Sequence, residues 1–172
     1  DFGWWLDNPD PRIGNVFSVR WTGEVLAKYT ETYTFYTLTD DGVKLWVNGQ
    51  QLINDPTTHT DQEFSGTISL VAGQRYTIKM EYVDAGWTAT ARLYWSSATQ
   101  AKQIIPTSQL FLPAQVVIND VTQLEGPAGQ AAAFVFNVGL TRPSGTTVVV
   151  SYFTQNASAV SSSDYTSISL GK

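Results

Sequence analysis

The chain has 172 residues, 42% hydrophobic and only 15% charged, with a formal net charge of −5 and a sequence pI of about 4.6. This balance supports a packed core and excludes wholesale disorder. It also argues against nucleic-acid binding, which demands clustered Lys and Arg. There is no cysteine, which favours a bacterial exported protein or a cytosolic one, and no window is long and apolar enough to span a bilayer. The chain opens on Asp1 without an initiator Met or signal peptide, and both ends are expected to be cuts through a longer protein.

In chain order, helical periodicity is nearly absent, and alternation bounded by Gly, Asn, Asp or Pro recurs instead. Phe17, Val19 and Trp21 alternate with Ser18, Arg20 and Thr22 before Gly23. Val43, Leu45 and Val47 share one face, and Asn48-Gly49 follows at once. Both central residues of a type I′ hairpin need positive φ, which suits Asn-Gly. Ile68 and Leu70 lead into the turn Ala72-Gly73-Gln74. Tyr76, Ile78, Met80 and Tyr82 oppose Arg75, Thr77, Lys79 and Glu81; Ala89, Ala91, Leu93 and Trp95 repeat that logic. Short strands with turn chemistry every ten or so residues predict an antiparallel β-sandwich or barrel.

After Trp95 the texture changes to Ser, Thr, Gln and Pro around Ile104-Ile105 and Leu110-Phe111, which places a domain boundary near Pro113. The first domain is expected over 1–113 and a second, partial one over 116–172. The second carries Val116-Val117-Ile118, an alternation of Phe134, Phe136, Val138 and Leu140, and "TTVVVSYFT". Fewer than about sixty residues are too few to close a sandwich alone.

Two aspartates, Asp40 and Asp41, stand side by side in "YTFYTLTDDGVKLWVNGQQLI". Asp41-Gly42 alone makes a turn, and two exposed charges about 4 Å apart repel by only roughly 1 kcal/mol in water. The pair equally suits Ca²⁺, which collects about six to eight oxygens and turns that repulsion into shared attraction. A later loop, Val83-Asp84-Ala85-Gly86-Trp87, would complete such a cage through Asp84. Trp87 beside Gly86 would offer a flat apolar face to a sugar ring, the way sugar sites pair such a face with a few fixed polar groups. Asp84 as a plain turn former and Trp87 as a core aromatic are the competing readings. Trp4, Trp5, Trp21, Trp46 and Trp95 are assigned to the core. His59, the only histidine, reads as a solvated loop residue. With no Cys, a His lacking any nucleophile signature, no phosphate loop and no zinc spacing, the chain is not read as an enzyme.

The blocks "NVFSVRWTGEV", "YTFYTLTDDGVKLWVNGQQLI", "GTISLVAGQRYTIKMEY", "ATARLYWSS" and "QIIPTSQLF" together resemble the PA-14 domain, first defined in an anthrax toxin component, over Asp1 to Leu112. The resemblance implies a β-sandwich with a jelly-roll-like barrel, found in glycosidases, adhesins, toxins and flocculins outside the cell. In lectin-like members adjacent aspartates, often joined by a cis peptide, hold Ca²⁺ and bind sugar hydroxyls; Asp40 and Asp41 match those positions. By position, Asp84, Gly86 and Trp87 match the loop that completes the site. The family usually begins with a further strand ahead of the "FSVRW" block, expected to be missing here, and carries a Trp where this chain has Asn54-Asp55-Pro56.

The tail resembles a Calx-β domain through "VVINDVTQLEGPAG", "AFVFNVGLTRPSGTTVVVSYFT" and the Asp164-Tyr165 step. Glu125 and Asp164 match ligand positions, whereas Gln155-Asn156 stands where calcium-binding members tend to have acids, so the tail is read as structural. The resulting expectation is an extracellular or cell-surface, calcium-dependent carbohydrate-binding module, monomeric, noncatalytic and part of a larger bacterial protein. Glycans bind Asp40, Asp41, Gly86 and Trp87 in this reading, and Asp40, Asp41 and Asp84 hold the metal. The alternatives are a structural spacer in an adhesin and a targeting appendage of a glycoside hydrolase.

Overall fold

Alternation becomes sheet wherever one set of side chains can be buried between two layers. The computed structural model describes residues 1–4, 10–124, 126–127, 130, 132–144, 147–161 and 163–169, in two units, Asp1–Pro113 and Ala114–Lys172. Trp5 and Glu125 lie outside the described residues.

In the first unit one five-stranded sheet runs in the order β1 (Phe2–Trp4), β8 (Ala89–Ser96), β3 (Glu31–Asp40) and β6 (Gln62–Leu70), with β9 (Gln103–Ile104) on the far half of β8. The second five-stranded sheet runs β10 (Leu110–Phe111), β2 (Phe17–Leu26), β7 (Arg75–Asp84), β4 (Val43–Val47) and β5 (Gln50–Asp55). Neighbouring strands pair antiparallel throughout, β2 with β7 from Phe17↔Asp84 to Leu26↔Arg75. The alternating sets meet in one core of Val25, Tyr33, Phe35, Leu45, Val47, Leu70, Tyr82 and Trp95. Each such buried side chain contributes roughly 1.5–3 kcal/mol relative to exposure.

Three details differ from or sharpen the sequence reading. A strand does stand ahead of the Phe17 block: Phe2, Gly3 and Trp4 pair with Ala91, Thr90 and Ala89, Phe2 stacks on Trp21, and Trp4 meets Phe17 edge-on and Tyr82 at a tilt. Three residues are too few to register as a period. Trp95 is core and Trp4 and Trp21 pack against it, but half-buried Trp46 faces outward beneath the Lys79 ammonium, 3.6 Å from its ring centroid. The Asn48-Gly49 turn has φ of 51° and 75°, both positive as a type I′ turn requires.

The first two sequential layers are joined at Gly66, where an added Cβ would stand 2.5 Å from the Leu52 carbonyl oxygen. Only hydrogen fits there, so β5 can cross closely over β6.

In the second unit the described residues form a two-stranded sheet, β11 (Val116–Ile118) with β12 (Val138–Leu140), and an isolated bridge between Ser161 and Tyr165. The alternation from Phe134 is strand only at its end, and no strand runs through residues 147–154. Phe134, Phe136, Val149 and Phe153 are exposed. Among the described residues no second layer buries them, and β-branched and aromatic propensity alone does not suffice to make sheet.

Candidate functional site

At one end of the first unit the chain crosses between the two sheets three times. Asp40–Gly42 leads from β3 to β4, residues 56–61 lead from β5 to β6, and residues 85–88 lead from β7 to β8. Every crossing leaves backbone donors without a ladder partner, and buried donors must find an acceptor. Asp41, 4% exposed, supplies it: Oδ1 accepts the His59 N–H at 2.9 Å and Oδ2 accepts the Ala85 N–H at 2.8 Å. The Val83 N–H donates to the Gly42 carbonyl at 2.9 Å. One carboxylate thus ties three corners together, through charge-assisted bonds of the stronger kind. The Asp40–Asp41 peptide bond is cis.

Asp40 faces differently. Its Oδ2 accepts the Thr88 hydroxyl at 2.8 Å, and its carbonyl accepts the Tyr82 hydroxyl. Burial first, and then the charges of Asp41 and Asp61, push its carboxyl above the ordinary aspartate range against the Thr88 hydrogen bond. Asp84, 1% exposed, is pushed up likewise by burial and by Asp41 and Asp40, with the Gly86 N–H opposing. Its Oδ1 is buried without a hydrogen-bond partner. The Tyr82 phenol, buried beside all three acids, is held protonated far above its usual range.

Asp40 also borders a groove of ≈ 350 Å³ lined by Gly3, Thr60, Asp61, Thr88, Thr90 and Arg92. That volume suits a small ligand. Arg92, part of that lining, is ion-paired with Asp1, Nε lying 2.8 Å from Oδ1. An added Cβ at Gly3 would meet nothing within 4 Å, which leaves the β1 side open.

The structure therefore brings Asp40, Asp41 and Asp84 to one end but gives them separate tasks. Trp87 follows at the tip of the third corner, 86% exposed with φ of 80°, after Gly86 at 115°. It is not a core aromatic. His59 is not a solvated loop residue: its side chain is 11% exposed, Nε2 lies 2.8 Å from Asp55 Oδ2, Nδ1 donates to the Thr60 carbonyl at 2.8 Å, and the ring packs on Phe64. Sequence reasoning missed Thr60, Asp61, Thr88, Thr90 and Arg92 as well. No local spacing could reveal them, because Asp41 meets His59 and Ala85 across 18 and 44 positions.

The fit of a cation is mixed. The orphaned Asp84 oxygen and the mutual repulsion of three acids leave negative charge to be neutralised. Yet both Asp41 oxygens accept backbone N–H groups, and among the described residues no group of three or more His, Asp or Glu side chains is arranged to hold a metal ion. A cation would draw on Asp84 and Asp40, whose free oxygens remain, rather than on a three-carboxylate cage.

In the second unit, Asn156 Oδ1 accepts the Ser161 N–H and the Tyr165 hydroxyl, and Asp164 Oδ2 accepts the Val160 N–H at 2.7 Å. These close a local turn.

Two antiparallel sheets on one core, with carboxylate-tied corners, define a β-sandwich domain. The PA14 domain profile matches residues 1–109, and the chain belongs to the PA14 domain family. It is 53% identical over 112 residues to the anti-sigma-I factor RsgI3 of Acetivibrio thermocellus, a match covering 64% of this chain and 17% of that protein. Among solved structures, an anti-sigma factor domain-containing protein shares 46% identity at a TM-score of 0.64, over 69% of this chain and 45% of its own. A second, from Clostridium clariflavum, shares 34% identity at a TM-score of 0.62, over 73% and 41%. The chain thus spans less than half the length of each of these relatives.

These relationships correct the functional reading. A calcium-dependent carbohydrate-binding module, an adhesin spacer and a glycosidase appendage are all overturned, because proteins sharing 46% and 53% identity with this chain are anti-sigma factors. The physical reason is plain: corner acids and a loop Trp define one end of a sandwich, and carry no mark of what the rest of the protein does with it.

Proposed function

We propose that this chain is the input module of an anti-sigma-factor-type regulator, a noncatalytic domain displayed outside the cell whose occupancy is passed on to the rest of the protein. The observation that carries this reading is the 53% identity over 112 residues to an anti-sigma-I factor. The ligand enters the groove between β1 and the corners. A carboxylate acceptor from Asp61, hydroxyls from Thr60, Thr88 and Thr90, and the Arg92 donor suit a polyhydroxylated compound such as a short glycan, which needs many directional partners in a small volume. Asp40 and Asp84 would hold a hard cation, Ca²⁺ by the all-oxygen donor set. That ion would neutralise the corner end and is separate from ligand capture. The tail, with its Calx-β-like blocks, serves as a connector.

Titration of the chain with a panel of soluble oligosaccharides, followed by NMR, tests the reading. Shifts are expected at Thr60, Thr88 and Thr90, with at least tenfold weaker binding in Asp61→Ala and Arg92→Ala. A panel without a single binder, or binding indifferent to both changes, refutes it.

A further inference from the structure

The last strand of the first unit is held by little pairing of its own. β10 pairs with β2 through Leu110↔Val25 and Phe111↔Glu24 alone, whereas β2 pairs with β7 from Phe17 to Leu26. Leu112 beyond it is 77% exposed, and the unit ends at Pro113.

Beneath this short strand lies an unfavourable arrangement. Glu24 is only 5% exposed, yet its Oε2 has no hydrogen-bond partner. The cation facing that oxygen, Arg75 Nη1, is 3.9 Å away, too far for a hydrogen bond. Arg75 is drawn instead over the Phe111 ring, 3.8 Å from its centroid, a cation–π contact. Phe111 and Arg75 together form the cover that keeps Glu24 from water. When β10 lifts, Glu24 regains hydration and Arg75 is free to follow it, so opening returns part of what the lost pairing removes. Gly23 makes closure possible at all: an added Cβ would stand 2.8 Å from the Phe111 carbonyl oxygen, closer than real Cβ contacts allow.

We propose that β10 is a releasable latch on the chain leaving the first unit, which opens while the rest of the sandwich stays folded. Release frees residues 110–113, about 13 Å of extended chain. It lets a pull on the tether beyond Pro113 be absorbed without loss of the core. The latch needs no occupant in the groove, so it stands or falls separately from the ligand reading.

Hydrogen exchange on the full 172-residue chain, read by mass spectrometry, tests it. In the unmodified protein the segment 105–113 is expected to exchange at least tenfold faster than β3 and β7. Gly23→Ala should speed that segment at least threefold further with β3 unchanged. Should Gly23→Ala fail to fold, Arg75→Gln, which strips the cover from Glu24 and the contact from Phe111, should do the same. Exchange of 105–113 in step with β3 and β7 overturns the latch. So does a variant that accelerates the whole sandwich equally, or leaves 105–113 as it was.

Discussion

The two ends of the sandwich solve the same problem with opposite chemistry. At the far end the chain also crosses between sheets, through residues 27–30 and 71–74, and at those two crossings neutral groups satisfy the backbone, the Glu31 carboxylate serving only the separate Thr99 turn. The Tyr33 hydroxyl accepts the N–H groups of Lys28 at 3.1 Å and Tyr29 at 2.8 Å. Thr30 Oγ1 and the Tyr76 hydroxyl accept those of Ala72 and Val71, and Ala27 exchanges backbone bonds with Gln74 and Gly73. At the near end the acceptor is the Asp41 carboxylate, with Asp40 and Asp84 beside it, both pushed toward protonation by burial and by each other. Extra buried charge costs stability unless something neutralises it, so the near end carries an electrostatic strain that the far end lacks.

The sharpest way to break that contrast is Asp41→Ala. It strips the shared acceptor from His59 and Ala85 and unties three corners, at a cost of about 3 kcal/mol or more. Urea unfolding should report that loss, and the melting temperature should drop by roughly 10–20 °C. The matching change at the far end is Tyr33→Phe, which keeps the buried ring and removes only the neutral acceptor of Lys28 and Tyr29. It should cost about 1–2 kcal/mol. Equal losses in the two variants would dissolve the distinction between the ends.

Asp84→Asn separates charge from architecture. A carboxyl whose folded-state pKa is raised above 3.8 binds its proton more tightly folded than unfolded, so ionisation destabilises the fold. That deficit is full above the raised pKa, shrinks as the pH falls through it, and is gone once the unfolded chain is protonated too. In chelator at pH 7, Asp84→Asn should therefore be the more stable protein by roughly 1 kcal/mol. The gap to the unmodified chain should close as the pH falls through the raised pKa towards 3.8. Millimolar Ca²⁺ should raise the melting temperature of the unmodified chain and leave that of the variant in place. A variant less stable at pH 7 in chelator would mean that the Asp84 charge is already compensated within the fold.

The same contrast explains what sequence could and could not deliver. Val43, Leu45 and Val47, or Ile78, Met80 and Tyr82, declare their face by period two, and Asn48-Gly49 declares its turn by the need for positive φ. Those are local properties, and the antiparallel sandwich follows from them. The near end is not local. Asp40, Asp41 and Asp84 attract notice as acids near turns, but the tie from Asp41 to His59 and Ala85 exists only once β5, β6, β7 and β8 are in place. Arg92 and Thr90 look like the ordinary polar half of an alternating strand until β1 brings Gly3 to the same groove. His59 looked solvated because its neighbours are polar, and is covered because Asp55 and Phe64 fold back on it. In the second unit the local pattern outran the sheet: among the described residues the apolar run after Thr147 forms no named strand and Val149 and Phe153 stay exposed.

The smallest expected effect on stability falls on Trp87, and it is informative for that reason. An indole that is 86% exposed contributes little burial, and a bulky residue at φ of 80° sits in a region that costs about 1–2 kcal/mol for any side chain with a Cβ. Trp87→Gly relieves that cost but adds unfolded-state freedom worth roughly 0.5–1 kcal/mol, so the two nearly cancel. Thermal unfolding should move by no more than about 0.5 kcal/mol, and binding of any oligosaccharide that enters the groove should weaken at least tenfold. A residue kept exposed at a backbone cost, whose removal leaves the fold intact and weakens recognition, belongs to the ligand-facing side of the molecule. If Trp87→Gly instead unfolds the third corner with binding per folded molecule unchanged, the indole is part of the scaffold, and the near end recognises its partner through the groove alone.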